Sequence, residues 1–287
     1  MIVPGVASQA LAARLAAELD EPLAAVEYDR FPDGETLVAV PGFDADRAVV
    51  VATTDTNDAW VELLQLQDAV REAGAEEVVT VVPYMGYARQ DRAFEPGQPV
   101  SARAMARAIS TGADRVVLVN PHEPSVTDFF DGHVAVCDAA GRLAEPLPEG
   151  LTAPLFLSPD AGAVGLAEAA RDAYGAGDVD FFEKTRHSGT EVEVSPSDAD
   201  AGGRDVVLVD DIVATGSTMS EAVAHLRADG ADRVFAACVH PLLARNARTK
   251  LERAGIERII GTDTVEGDVS AVSVAPIVAT AVDAVEA

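Results

Sequence analysis

The sequence predicts an α/β protein of two domains, each a mainly parallel sheet flanked by helices. Short apolar runs rich in valine alternate with amphipathic stretches along almost the whole chain. This is the pattern of strands buried on both faces and of the helices that cover them. The same helix-to-strand junction recurs in both halves, as Gly74-Ala75-Glu76-Glu77-Val78, Gly112-Ala113-Asp114-Arg115-Val116 and Gly230-Ala231-Asp232-Arg233-Val234. At 287 residues there is room for two proper cores.

Residues 48–52 read as a strand. Residues 59–72 place Val61, Leu64, Leu66 and Val70 close to helical spacing, and Gly74 ends that helix. Glu77–Val82 is the next strand, Ser101–Ser110 a helix closed by Gly112, and Arg115–Val119 a strand. The second half repeats the theme with a strand at 205–209, a helix at 219–228 closed by Gly230, and a strand at 233–239. The Pro- and Gly-rich segment GRLAEPLPEGLTAP, 141–154, is the best boundary, so domains are expected over 1–142 and 143–287. Residues 187–203 are irregular. Within them 190–194 alternate polar and β-branched residues, the pattern of a hairpin or a mobile loop.

The net charge of −27 argues against nonspecific binding to nucleic acid or to an anionic membrane. No apolar run is long enough to span a bilayer, and the opening MIVPGVASQALAARLAAELD lacks a basic n-region, so a cytoplasmic protein is expected. Of 21 basic residues only Lys184 and Lys250 are lysine. An acid-rich, lysine-poor surface suits high salt, where charge is strongly screened. Cys137 and Cys238 lie in or beside apolar runs and read as reduced core thiols.

Residues 206–219, VVLVDDIVATGSTM, carry the most functional information. An apolar strand runs into Asp210 and Asp211, then into the small turn Ala214-Thr215-Gly216-Ser217-Thr218, then into a helix. Such a turn aims backbone N–H groups and hydroxyls at one point beside the positive end of the helix, which suits a phosphate. The carboxylates would repel phosphate and instead suit sugar hydroxyls or a water-bridged magnesium ion. Phosphate and sugar side by side suggest a ribose phosphate. The spacing is not that of a Walker loop, because no lysine follows Gly216.

Five other segments draw attention. VVPYMGYARQDR, 81–92, combines aromatics that can stack on a base with arginines that can grip a polyphosphate, although a surface turn with Arg–Asp pairs reads equally well. In YDRFPDGETL, 28–37, the residues alone prefer a Pro-Asp-Gly turn between strands. NPHEPSVTDFF, 120–130, places His122 just after a strand, as a metal ligand or a structural histidine. In LFLSPDAG, 155–162, Asp160 ends a strand and is either an N-cap or a site residue. FEKTR, 182–186, keeps a lysine where the chain nearly dispenses with lysine.

Residues 206–219 resemble the PRPP-binding motif shared by phosphoribosyltransferases and ribose-phosphate pyrophosphokinases (PRPP synthetases). Ala214 replaces an acid common in that family. The segment at 81–92 resembles the PYxGYARQDR string that PRPP synthetases have at their ATP site and phosphoribosyltransferases lack. All six segments are similar to PRPP synthetases of a short, archaeal-like type, in the family order. The resemblance implies phosphoribosyltransferase-like domains. It implies transfer of a diphosphoryl group from MgATP to ribose 5-phosphate, with magnesium as cofactor.

It also implies roles. Phe31, Asp33, Gly34 and Glu35 would contact ATP bound to a neighbouring subunit, hence a dimer or larger homo-oligomer, while Arg89, Gln90 and Asp91 would hold ATP. His122 and Asp160 would position magnesium, with Asn-Pro before His122 replacing the more usual Asp-Leu. Lys184 and Arg186 would be catalytic. Arg186, Asp210, Asp211, Ala214, Thr215, Gly216, Ser217 and Thr218 would bind ribose 5-phosphate. A PRPP-consuming transferase and a non-catalytic regulatory paralogue are the alternatives.

The charge pattern generates one prediction. The melting temperature should rise from dilute buffer to molar potassium chloride, and full stability in dilute buffer would count against salt adaptation.

Overall fold

The computed structural model describes residues 1–186, 192–196 and 200–284, with backbone alone at 183–186 and 192–196. It divides into two compact units. Unit 1 holds residues 1–138, 263–266 and 273–284; unit 2 holds residues 139–262 and 267–272.

The elements of unit 1 begin with β1 (Ile2–Pro4), α1 (Gln9–Leu19), β2 (Glu27–Arg30), β3 (Thr36–Ala39), β4 (Arg47–Val51) and α2 (Asn57–Glu72). They continue with β5 (Glu77–Val82), α3 (Ser101–Ser110), β6 (Arg115–Val119) and β7 (His133–Cys137). The main sheet has the order β1-β4-β5-β6-β7, and every pair is parallel. Strand side chains alternate between faces. One set, with Val3, Val50, Val78, Val116 and Leu118, packs with Leu63, Leu66 and Val70 of α2 and Ala102, Ala106 and Ile109 of α3. The alternate set, including Val49, Val79, Val81 and Val117, is equally buried, so the strands are apolar throughout. β2 and β3 form a separate antiparallel ribbon.

Unit 2 holds β8 (Leu155–Ser158), α4 (Val164–Tyr174), β9 (Asp178–Arg186), β10 (Val192–Pro196), β11 (Val206–Ile212) and α5 (Ser217–Ala228). It continues with β12 (Val234–His240), α6 (Ala247–Ala254), β13 (Arg258–Thr262) and β14 (Ser270–Val272). The sheet order is β10-β9-β8-β11-β12-β13-β14, parallel except for the β9–β10 hairpin. Leu155, Leu157, Val206, Leu208, Val234 and Ala236 pack with Met219, Val223 and Leu226 of α5 and Leu251 of α6. From β8 the chain steps first to β9 on one side and later to β11 on the other. The strand order therefore reverses between β8 and β11, and in open parallel sheets ligands bind at the carboxyl ends of strands beside such a reversal.

The strands Glu77–Val82 and Arg115–Val119 and the helix Ser101–Ser110 stand where the sequence places them. One difference matters for function. The strand expected at 205–209 runs on to Ile212, because Asp210 pairs with Cys238 and Ile212 with His240 on β12. Asp210 and Asp211 are thus the end of the strand rather than the start of the turn. The hairpin pattern seen at 190–194 corresponds to β10, although residues 187–191 lie outside the described residues.

The expected division at 142/143 differs from the two units at the C-terminus. The last helix, α7 (Ala275–Asp283), belongs to unit 1, where it packs on α1 and contacts β6 and β7, with Val278 and Val282 fully buried. Residues 263–266 are tied there as well. Arg14 donates to Asp263 at 2.7 Å, the Leu11 N–H donates to Glu266 Oε1 at 2.8 Å, and the Thr53 hydroxyl donates to the Thr264 carbonyl. The Gly/Pro punctuation marked where the chain first leaves unit 1, but a return made by an ordinary apolar helix carries no such signal. Cys137 and Cys238 are free and buried, and burial pushes the Cys137 thiol up to about 11.

The amino end of β11 is held by an ion pair between a buried carboxylate and a partly exposed arginine. Asp205, fully buried, accepts from Arg233 Nη2 at 2.6 Å, from Arg233 Nε at 2.9 Å and from the Thr152 N–H at 2.7 Å. The Arg233 hydrogen bonds hold its carboxyl below the usual carboxylate range. A depressed folded-state pKa contributes stability above the unfolded value of about 3.9 and loses it as pH falls through the folded value. Arg233→Met should therefore leave a buried carboxylate unpaired and move the acid-unfolding midpoint, followed by circular dichroism, to higher pH. An unchanged midpoint would show that the pair contributes nothing.

Candidate active site

In unit 2 the expected site residues gather at the carboxyl end of the sheet. Asp210 and Asp211 close β11, and each carboxylate accepts the next backbone N–H: Asp211 N to Asp210 Oδ1 at 2.9 Å, and Ile212 N to Asp211 Oδ1 at 2.8 Å. The strand therefore ends on its own side chains. Burial pushes the Asp210 pKa well above the usual carboxylate range, the Asp211 charge adds to the shift, and Asp160 contributes a smaller repulsion. Asp160 follows β8, accepts from the Gly162 N–H at 3.1 Å and caps a short 3-10 turn there. The charge of Asp211, and more weakly that of Asp160, thus bears on Asp210 beside the strand-order reversal, an environment that suits hydroxyl donors or a hydrated cation.

The turn at 214–218 leads straight into α5, whose first residue is Ser217. Gly216 lies at φ +67°, which favours glycine, and a Cβ there would sit tightly at 3.3 Å against the Cα, Cβ and carbonyl oxygen of Ala247. Thr215 and Thr218 are exposed and Ser217 partly so, which leaves their hydroxyls and the first N–H groups of the helix open to an anion. Ala214 has its carbonyl bound by the Ala244 N–H at 2.8 Å.

Reasoning from sequence missed one neighbour of this turn. Lys250, on α6, donates to Ser217 Oγ at 2.8 Å and to the Thr215 carbonyl at 3.2 Å. The scarcity of lysine was the available signal. It singled out Lys184 and applied equally to Lys250.

Lys184 and Arg186 lie on β9, with Lys184 opposite Val194 and Arg186 opposite Val192 of β10. Their side chains lie outside the described residues.

Unit 1 carries the other segments. Phe31, Asp33, Gly34 and Glu35 form the tip of the β2–β3 ribbon, closed by Phe31 N to Glu35 O and Gly34 N to Phe31 O, both 2.8 Å. Gly34 sits at φ +97°, Asp33 accepts the Glu35 N–H at 3.2 Å, and Phe31 is 47% exposed. The tip is both the turn that the residues predict and an exposed aromatic–acid surface.

After β5 the chain buries Tyr84 and Met85 and turns sharply at Tyr87, φ +64°. The Tyr87 hydroxyl donates to Asn57 Oδ1 at 2.5 Å. Arg89 is exposed. Gln90 Oε1 accepts from the Ser101 hydroxyl at 2.5 Å, and Asp91 is half-buried. Arg92 lies over the Phe94 ring, 5.3 Å from its centroid.

His122 is exposed just after β6. Asn120 adopts φ +36° and donates through Nδ2 to Asp138 Oδ1 at 2.8 Å, a conformation that asparagine tolerates well.

Residues 1–112 match the N-terminal domain of ribose phosphate pyrophosphokinase, and residues 130–275 match the phosphoribosyl transferase domain. The class is thus an α/β protein with two phosphoribosyl transferase-type domains. The chain is 62% identical over 282 residues to ribose-phosphate pyrophosphokinase of Halobacterium salinarum, covering 98% of this chain and 100% of that one. It is 48% identical over 278 residues to the enzyme of that name from Methanopyrus kandleri, covering 95% of each. The crystal structure of phosphoribosylpyrophosphate synthetase from Mycobacterium smegmatis superposes with a TM-score of 0.85 at 31% identity, over 100% of this chain and 98% of that one. The chain belongs to the ribose-phosphate pyrophosphokinase family.

The turn after β5 can be tested directly. Gly86 donates its N–H to Thr54 Oγ1 at 3.1 Å, and a Cβ at Gly86 would collide with the Thr54 carbonyl oxygen. Gly86→Ala should destabilise the protein by about 1–3 kcal/mol, measured by urea unfolding. An unchanged midpoint would mean that the turn relaxes without cost.

Proposed function

We propose that this chain transfers the diphosphoryl group of MgATP to the C1 hydroxyl of ribose 5-phosphate, giving PRPP and AMP for nucleotide biosynthesis. It is an enzyme of the ribose-phosphate diphosphokinase type, and the full-length matches do not favour a PRPP-consuming transferase or a regulatory paralogue. Within the molecule the reading rests on one junction: the acid pair near the end of β11 is followed, after Ile212 and Val213, by the Gly216 turn at the head of α5.

In this reading Thr215, Gly216, Ser217 and Thr218 bind the 5-phosphate through N–H groups and hydroxyls, with Ala214 shaping the approach. Asp210 and Asp211 take the ribose hydroxyls, directly or through a hydrated cation. Arg89, Gln90 and Asp91 hold the triphosphate side of ATP. Phe31, Asp33, Gly34 and Glu35 supply an exposed ring and carboxylates to the base of ATP on a neighbouring copy, so the working species is a homo-oligomer. We assign the work to the cytoplasm, where phosphorylated metabolites are held. No helix among the described residues is long and apolar enough to cross a membrane.

A divalent cation fits the donor chemistry around Asp160. The carboxylates there are oxygen donors, and their mutual repulsion at Asp210 is of the kind that a cation relieves. Magnesium characteristically binds through one or two carboxylates together with substrate phosphates. Among the described residues no group of three or more His, Cys, Asp or Glu side chains forms a ready cage. We assign Asp160 to magnesium in unit 2 and, separately, His122 to magnesium in unit 1. When bound, the ion would neutralise phosphate charge.

The C1 hydroxyl oxygen attacks the β-phosphorus, and the bond from that phosphorus to the oxygen bridging it to the α-phosphate breaks. AMP leaves with the bridging oxygen, and the hydroxyl proton passes to solvent. Lys184 and Arg186 neutralise the oxygens of the group in transit and the departing AMP. Positioning supplies the rest, because such a transition state asks little of a general base.

Phosphorus NMR of the protein with magnesium, ATP and ribose 5-phosphate should show AMP and PRPP appearing together, and intact ATP would overturn the reading. Lys184→Ala should lower kcat by about 10²- to 10³-fold with an unchanged circular dichroism spectrum. Wild-type turnover would remove Lys184 from the catalytic set.

A further inference from the structure

Lys250 is the residue whose contacts the reaction as described leaves unused. Among 48 acids and 21 bases a lysine has many carboxylates to choose from, yet among the described residues none pairs with Lys250. Its ammonium is directed instead at two neutral oxygens of the turn, Ser217 Oγ at 2.8 Å and the Thr215 carbonyl at 3.2 Å.

Both bonds have a consequence for the turn. An ammonium can only donate, so Ser217 Oγ must accept from it, and the hydroxyl proton of Ser217 points elsewhere as a donor. In a trans peptide the C=O and N–H point in opposite directions. A Thr215 carbonyl held by Lys250 therefore turns the Gly216 N–H away from Lys250, toward the open side of the turn. A single side chain thus turns the Gly216 N–H away from itself and leaves the Ser217 hydroxyl as a donor, with Thr215 Oγ1 3.5 Å from Ser217 Oγ.

The surrounding backbone is built to keep Lys250 there. Leu243 and Arg245 adopt φ +42° and +58°, a conformation that side chains other than glycine resist. Across this strained loop the Leu243 N–H bonds the Val213 carbonyl at 2.9 Å and the Ala244 N–H bonds the Ala214 carbonyl at 2.8 Å. The first residue of α6, Ala247, lies against Gly216. The strain is maintained where it presses α6, and with it Lys250, onto the turn.

We propose that Lys250 is a positioning residue for the 5-phosphate of ribose 5-phosphate, setting the Gly216 N–H and the Ser217 hydroxyl as donors and adding a positive charge behind them. This deepens the reading that the 214–218 turn binds that phosphate, and it rests on it.

The test is steady-state kinetics on the full-length protein with Lys250→Met, Lys250→Arg and Thr218→Val. Lys250→Met should raise KM for ribose 5-phosphate about tenfold and leave KM for ATP in place, and Lys250→Arg should recover most of the loss. A role in folding alone would move both KM values together and would not be rescued by charge. An equal change in both KM values, or an unchanged KM for ribose 5-phosphate, overturns the assignment of Lys250. If Thr218→Val raises KM for ribose 5-phosphate while Lys250→Met does not, only the lysine proposal falls. If neither variant changes it, the reading of the turn falls as well.

Discussion

The pairing of β11 between two parallel neighbours is the constraint on which the site depends. β8 binds one edge of β11 from Val206 to Leu208, and β12 binds the other from Val206 to Ile212. Because β12 reaches further, the last turn of β11 is held on one side only, and there the chain places Asp210 and Asp211. A strand fixed on both edges would have no room to open toward a ligand, and one held on neither would not bring two carboxylates to a fixed point. The shorter β8 leaves the gap, and Asp160 at its end borders it. The electrostatic cost is visible in the raised Asp210 pKa, and it is the kind of strain that functional sites retain.

How much of this was legible in the sequence depended on the kind of signal. Val206–Val209 could be read because four consecutive apolar residues buried on both faces leave little else to be. Gly216 could be read as part of a small, hydroxyl-rich turn between strand and helix, and the structure adds its positive φ. The extent of β11 through Ile212 could not, because acidic residues weaken a strand reading and only the partner strand β12 overrides it. Nor could the contacts of Lys250. It lies 33 residues from Ser217, and only the seating of α6 on the turn brings the two together. Asn120 departs from the family pattern, and its left-handed backbone does not explain the change, because aspartate tolerates that conformation as well.

An acidic chain that must hold a sugar phosphate faces a particular difficulty. With a net charge of −27, its long-range field repels both substrates of the proposed reaction. Binding then has to come from short-range groups that screening does not remove: helix N–H groups, hydroxyls and a few placed cations. The distribution of lysine agrees with that division. Surface bases are arginines, many of them in ion pairs such as Arg30–Asp58, Arg71–Asp114 and Arg204–Asp178. Lys250 instead makes its bonds to the phosphate turn. A bidentate arginine is well matched to carboxylates, whereas a compact ammonium can serve a hydroxyl and a carbonyl without recruiting an acid.

The course of the chain adds a constraint on how the molecule is made. The core of unit 2 is drawn almost entirely from one continuous stretch, 139–262. Unit 1 is different: its first helix is capped by Glu266, its Arg14 is paired with Asp263, and its sheet is covered by a helix that ends at Asp283. These are contacts between residues about 250 apart in sequence, and loop-closure entropy makes such pairings late events in folding. Until the last helix docks, Val278 and Val282 are absent from the core of unit 1, and α1 lacks the helix that packs on it. The order that follows is that most of unit 2 can form while unit 1 waits for residues 263–266 and α7. The groups assigned to ATP therefore sit on the part of the protein that is completed last.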